Sequence, residues 1–182
     1  MNDRVRAKGA KVKDVAAFSA FVAAHQRSLQ RTAWLLTGDW ALAEDLVQTA
    51  LAKTWTRWSH VLRDDAPEVY VRRVMLNTHA TLRRRRWRGE VPAAYFPDVA
   101  DATATDDHEV VERLRVRAAL CALPSRQRAV VVLRYFDDLS EKQVASILGC
   151  SVGTVKSQAS RALSKLRVHP ALALDLRRQE AS

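Results

Sequence analysis

The sequence predicts an all-α protein: two small helical domains joined by an acidic flexible linker, the second containing a helix-turn-helix. Three observations carry this. Apolar residues recur at three- and four-residue steps, and nothing alternates with a period of two over a useful length. Charge is unevenly spread: residues 1–97 hold 17 basic and 9 acidic side chains, residues 98–112 hold six acidic and no basic ones, and residues 124–182 hold ten basic and five acidic ones. Finally, Ser140–Leu166 reads as a short helix, a glycine turn and a longer helix. The boundaries that follow are a basic N-terminal tail at 1–14, a first helical domain at 15–88, a linker at 89–108, a second domain at 109–168 and a C-terminal tail at 169–182.

In the first domain, Val15, Phe18, Val22, His25, Leu29, Ala33 and Leu36 fall on one helix face. Gly38 suits the left-handed position that ends a helix. Asp39 can cap the next helix, whose stripe is Ala43, Leu46, Val47, Ala50, Leu51, Thr54, Trp55 and Trp58. A third helix starts at Asp65-Ala66-Pro67-Glu68, a capping-box spacing, and carries Val71, Met75, Thr78 and Leu82. In the second domain, Val111, Leu114, Ala118 and Cys121 make a stripe that Pro124 breaks. Pro124 opens a helix from Ser125 to Phe136. Asp137-Asp138-Leu139 is a turn. Ser140 with Gln143 is a second capping box, starting a helix through Leu148, and Gly149-Cys150-Ser151 interrupts it. The last helix runs from Val152 to Arg167, before Pro170.

Composition narrows the function. The 182 residues carry a net charge of +10 and 48% hydrophobic side chains, enough for a core. The longest apolar run is six residues, Ala118–Leu123, far below the about 20 that span a bilayer. The segment before Asp14 is polar, without a secretory signal. Cys121 and Cys150 are far apart, fit no metal pair, and read as small buried hydrophobes in a reduced cytoplasmic setting. The five histidines sit on different elements without ligand spacing, and no glycine-rich phosphate loop occurs, so no enzyme, metal or cofactor is expected. His25 reads as a core histidine. Strong positive charge favours a polyanionic partner over a small-molecule substrate.

Three surfaces stand out. On the last helix Val155, Ala159, Ala162 and Leu166 point inward, leaving Lys156, Ser157, Ser160, Arg161 and Lys165 outward. Short polar and cationic side chains on one face can meet base edges and phosphates in a major groove. The bland alternative is a solvated hairpin; the glycine turn, the caps and the basic face together favour DNA. The run Arg83-Arg84-Arg85-Arg86-Trp87-Arg88 continues a helix that already holds Arg72 and Arg73. It offers guanidinium groups for phosphates and an indole for an unpaired base. A membrane-surface patch would need more apolar area than Leu82 and Trp87 supply. The third surface is the outer face of the second helix, Glu44, Asp45, Gln48 and Thr49. A solvated acidic first turn accounts for it as readily as a partner does.

Taken as text, the segments resemble a known family. Ala43-Glu44-Asp45-Leu46-Val47-Gln48 with Thr54-Trp55 is similar to region two of bacterial sigma factors. Leu123–Arg128 with Leu133-Arg134-Tyr135-Phe136 is similar to the first half of region four. Leu139-Ser140-Glu141 to Gly149, then Ser151-Val152-Gly153-Thr154-Val155-Lys156-Ser157 and Arg161-Ala162, is similar to its second half. The resemblance spans roughly residues 15–168 and is to the short, extracytoplasmic-function type of sigma-70 family factor. It implies core RNA polymerase and promoter DNA as partners, with Glu44, Asp45, Leu46 and Gln48 on the polymerase. It further implies that Tyr70, Arg73 and Asn77, with Arg83–Arg88, open and read the minus-ten element, and that Thr154, Lys156, Ser157, Ser160, Arg161 and Lys165 read the minus-thirty-five element. An anti-sigma partner is implied as for many relatives, as is a cytoplasmic, nucleoid-associated location. Thr81 departs from the pattern, standing where many members carry an acidic residue.

The two elements lie about 70 Å apart, two turns at ~34–36 Å each. A 20-residue linker extends to about 66–72 Å, so the reach suffices. The acidic linker is expected to run through a basic channel of the partner. Neutralising Asp98, Asp101, Asp106 and Asp107 should then weaken promoter-dependent output. A free-standing helix-turn-helix regulator is the alternative reading, and the lobe arrangement in the free chain stays open.

Overall fold

A computed structural model describes the backbone of residues 2–62, 66–87 and 107–172, and the side chains of 14–62, 66–84 and 111–172. No strand occurs among them, as the periodicity predicts. The elements are α1 (Asn2–Thr37), α2 (Trp40–Trp55), the single turn α3 (Trp58–Val61), α4 (Pro67–Trp87), α5 (Asp107–Ala122), α6 (Ser125–Val131), a π-helical turn (Val132–Phe136), α7 (Glu141–Leu148) and α8 (Val152–Arg167).

Local chemistry sets the breaks. Gly38 ends α1 at φ +72°, with its N–H donating to the Trp34 carbonyl at 2.7 Å. Asp39 accepts from the Leu42 N–H at 2.8 Å and starts α2. Ser140 and Gln143 form the expected reciprocal box at the start of α7, and Gly149 ends it at φ +61°. Leu29, Ala33 and Leu36 of α1 meet Ala43, Leu46 and Ala50 of α2 and Val71 and Met75 of α4, all nearly fully buried. Trp58 closes one end, edge-on to Phe18 at 4.9 Å.

Several expectations are corrected. The helix α1 does not start near residue 15: it runs through the segment read as a tail, where Arg, Ala, Lys and Val are all compatible with helix. The α2 pattern does not continue to Trp58, because the chain turns at Thr56 and Arg57 before α3. On α5 the predicted stripe faces outward: Val111 and Leu114 are exposed, and Ala119 and Leu120, with Leu123 just past the helix end, are buried instead. Apolar residues surround this helix almost completely, so the period alone misassigned its face. Cys121 is exposed and Cys150 half-buried, not core residues. His25 is half-buried, stacked on Phe21 and hydrogen-bonded to the Phe21 carbonyl at 2.9 Å. The helix expected over Ser125–Phe136 changes to π geometry at Val132. The Asp65 cap and the linker up to Asp106 lie outside the described residues.

The lobes are docked on each other and share one continuous apolar core. Helix α4 packs on α7, and α1 packs on α5, α6 and the π-turn. At the seam, Asp137 accepts from Arg72 Nε at 2.8 Å and from Thr32 Oγ1 at 2.6 Å. Arg128 donates to the Leu36 carbonyl of α1 and the Cys121 carbonyl of α5, both at 2.7 Å. One guanidinium thus satisfies carbonyls at the ends of two helices, where unpaired acceptors collect. Burial holds the Arg128 pKa below the ordinary arginine value, with a smaller lowering from Arg83 and an opposing effect of Cys121.

Candidate nucleic-acid and partner interfaces

The α7–α8 hairpin leaves one face of α8 exposed. Ser151 caps it, accepting from the Thr154 N–H at 3.1 Å. Val155 and Ala162 are buried on the inner side. Lys156, Ser157, Ser160, Arg161 and Lys165 are all exposed on the outer side, as the sequence predicts. Thr154 differs: it is half-buried, and its hydroxyl lies 2.9 Å from Ser151 Oγ within the cap. Ser157 and Ser164 return their hydroxyl protons to carbonyls one turn back, which leaves oxygen lone pairs facing outward. Lys156 Nζ lies 3.7 Å from Glu141 Oε2 with its side chain 65% exposed, a contact that solvent screens. Among the described residues α8 packs on α6 and α7 and leaves this basic face clear of the seam.

On α4, Asn77, Arg83 and Arg84 are exposed, while Tyr70 is half-buried against the core. Arg73 is turned across the seam and donates from Nη2 to Ser146 Oγ of α7 at 2.7 Å. Its Nε is buried without a hydrogen bond in the chain. The side chains of Arg85, Arg86 and Trp87, and all of Arg88, lie outside the described residues.

On α2, Glu44, Asp45 and Gln48 are exposed together, with Gln48 Nε2 donating to Glu44 Oε1 at 3.2 Å. Leu46 is 1% exposed and belongs to the core, so it supports this face from below instead of forming part of it. Sequence reasoning missed the seam residues Thr32, Arg72, Arg128 and Asp137. Polar residues on helix faces read as solvated until a second lobe covers them. No group of three metal-ligating side chains occurs among the described residues, and no helix there is long and apolar enough to cross a membrane.

A helix-turn-helix whose second helix exposes a basic face, on an all-helical two-lobed chain, defines the class: a DNA-binding transcription factor. The family models agree in finer terms. Residues 21–89 match Sigma-70 region 2, and residues 113–166 match Sigma-70, region 4. The chain is 39% identical over 154 residues to the RNA polymerase sigma-E factor of Streptomyces avermitilis, covering 85% of each chain. It is 31% identical to the ECF RNA polymerase sigma factor SigL of Mycobacterium tuberculosis, covering 90% of this chain and 94% of that one. Among solved structures it superposes on the sigma factor RpoE of Bartonella quintana in complex with the anti-sigma factor NepR. The TM-score is 0.69 at 24% identity, over 83% of this chain and 94% of that chain. It also superposes on CnrH in complex with the cytosolic domain of CnrY, with TM-score 0.61 at 26% identity, over 90% of this chain and 94% of that chain. The chain belongs to the sigma-70 family of RNA polymerase sigma factors, in its extracytoplasmic-function group, and its function is transcription initiation.

Proposed function

We propose a division of labour over three surfaces. The outer face of α8 reads the minus-thirty-five element: Arg161, Lys156 and Lys165 meet phosphates and base edges, Ser160 offers a hydroxyl, and Ser157, whose proton goes to the Thr154 carbonyl, accepts. Thr154 acts through the cap that orients the first turn. On α4, Tyr70, Arg73 and Asn77, with the arginine-rich end from Arg83 to Arg88, engage and open the minus-ten element. The exposed Glu44, Asp45 and Gln48 of α2 dock on core RNA polymerase. The single observation that carries this reading is α8: one face packed inward through the buried Val155 and Ala162, the other polar, basic and uncovered. The chain acts by binding, with no chemistry of its own, on chromosomal DNA in the cytoplasm. An anti-sigma partner is part of the proposal, because the solved relatives RpoE and CnrH are held by NepR and CnrY.

The test is in vitro transcription with purified bacterial core polymerase on a pool of genomic fragments, with and without the chain. New starts sharing two spaced upstream motifs are expected. No new starts, together with tight duplex binding by the chain alone, would replace this reading with the free-standing regulator.

A further inference from the structure

Helix α1 is longer than the lobe it belongs to. Among the described residues its first buried side chain is Phe21, and residues 14–26 hold no Lys or Arg. Ahead of them the helical backbone reaches back to Asn2. Residues 2–13 hold Arg4, Arg6, Lys8, Lys11 and Lys13 against the single acid Asp3, a net of +4 out of the +10 of the whole chain. At ~1.5 Å per residue this segment is about 18 Å long. The positive charge stops where the lobe begins.

Contacts at two levels of the first lobe place this segment. Asp137 accepts from both Thr32 of α1 and Arg72 of α4, which sets those two residues at one level. The Phe18 ring of α1 lies 5.1 Å from the Trp55 ring of α2, and Lys53 of α2 donates to Thr78 Oγ1 of α4 at 3.0 Å. These contacts set Phe18 and Thr78 at a second level. Helix α1 therefore runs toward its start as α4 runs toward its end. Residues 2–13 and the arginine-rich end of α4 leave the lobe at the same end.

We propose that residues 2–13 are a basic arm that lies along double-stranded DNA beside the minus-ten element and holds its phosphates. The proposal rests on the assignment of α4 to that element. A solvated helix favours acids near its start, where the backbone dipole is positive, yet Arg4 and Arg6 stand there with Asp3 as the one acid. Arg4 and Lys8, and Lys8 and Lys11, are like charges at four- and three-residue spacing and repel each other. Gly9 weakens the helix further. Each choice costs helix stability in water, and a polyanion relieves the charge repulsion. By register, Arg4, Lys8 and Lys11 fall within about 60° of one another on one edge, and Arg6 and Lys13 fall on the opposite edge. Two cationic edges suit a helix lying along a groove with a phosphate row on either side, and the ~12 Å major groove admits a helix. The small Ala7 and Ala10 stand between the edges. A membrane-surface helix needs a large apolar face, and Val5 and Val12 are the only large apolar residues in the segment.

The test has two parts. Fluorescence anisotropy of the full chain on a short duplex of arbitrary sequence, titrated over a range of salt, reads the phosphates engaged. Arg4→Gln, Arg6→Gln, Lys8→Gln, Lys11→Gln and Lys13→Gln together remove the charge and keep the length and helix propensity. At ~0.9 per phosphate, this variant is expected to lower the slope of log affinity against log salt by about 3–5. Deleting residues 2–13 is expected to do the same, and it leaves the buried residues from Phe21 onward in place. An unchanged slope in both variants would overturn the proposal. So would an unchanged slope joined to weaker binding of phosphatidylglycerol vesicles or of core polymerase, which would assign the arm to a membrane or to an acidic protein surface.

The second part locates the arm on DNA. Hydroxyl-radical footprints are taken of the holoenzyme on a promoter recovered by the transcription assay. A helix about 18 Å long covers about five base pairs at ~3.4 Å each. The five-fold Gln variant is expected to lose protection over that length beside the minus-ten element and to keep it at the minus-thirty-five element. An unchanged footprint, or a loss beside the minus-thirty-five element, would overturn the placement. Arg83→Gln with Arg84→Gln separates this proposal from the reading of α4. If that variant opens the promoter normally, the assignment of α4 fails, and the salt slope still decides whether the arm holds phosphates.

Discussion

Gly38→Ala tests the docked arrangement by stability alone. At φ +72° an alanine sits in the left-handed region, which costs about 1–2 kcal/mol. Its Cβ would also lie 2.5 Å from Cys121 Sγ, well inside the ~3.5–4 Å of ordinary contact. One helix end then shifts, and overpacking of this kind costs about 1–3 kcal/mol. The total is about 2–5 kcal/mol. At ~2–4 °C per kcal/mol for a chain of this size, the melting temperature falls by roughly 4–20 °C. Gly149→Ala is the control: its φ is +61°, but nothing lies within 4 Å of the added Cβ, so only the backbone cost of about 1–2 kcal/mol applies. The assay is urea unfolding followed by far-UV circular dichroism, run as a double-mutant cycle. Cys121→Ala removes the obstructing sulfur and should return about 1 kcal/mol or more to the Gly38→Ala chain. Equal losses at the two glycines, with no rescue by Cys121→Ala, would mean that α5 does not lie against the end of α1 in solution, and the reasoning would fail.

Other substitutions separate the surfaces. Arg161→Ala should weaken duplex binding and lower the salt-dependence slope by about one, while polymerase binding stays intact; lost polymerase binding would contradict the assignment. Asp45→Ala should do the reverse, lowering affinity for core polymerase in a pull-down titration and sparing DNA contacts made by α8; normal polymerase affinity would remove Asp45 from the docking face. Ser140→Ala removes the cap of α7 and should destabilise the chain by about 1 kcal/mol in thermal unfolding, and an unchanged melting temperature would show that the box contributes nothing.

Much of this fold is legible in the sequence because its signals are local. The ends of α1, α2 and α7 rest on Gly38, Asp39, Ser140, Gln143 and Gly149, and each acts on backbone groups within four residues. The outward set on α8 is equally local, since an amphipathic stripe fixes both faces at once. What the sequence left hidden depends on residues far apart. Arg128 reaches a carbonyl 92 positions away, and Asp137 reaches Thr32 across 105. No period or cap encodes such a pairing. The face of α5 was misread for a related reason: with apolar residues on nearly every side, only the position of α1 decides which are covered. The engagement of Arg73 with Ser146 follows only from docking.

The long sequence separation of the seam contacts also bears on the order of events during synthesis. Helices α1, α2 and α4 can pair as soon as Trp87 is made, whereas Asp137 and Arg128 come later. At ~5–20 residues per second, the stretch from Trp87 to Asp137 takes about 3–10 s to add. Closing a loop of roughly 100 residues then costs about 4 kcal/mol of chain entropy. Docking should therefore be the last and slowest phase of folding. Every new molecule passes through an interval in which the first lobe is folded and its α1 and α4 faces are bare, so a nascent chain is born receptive and becomes closed only on completion.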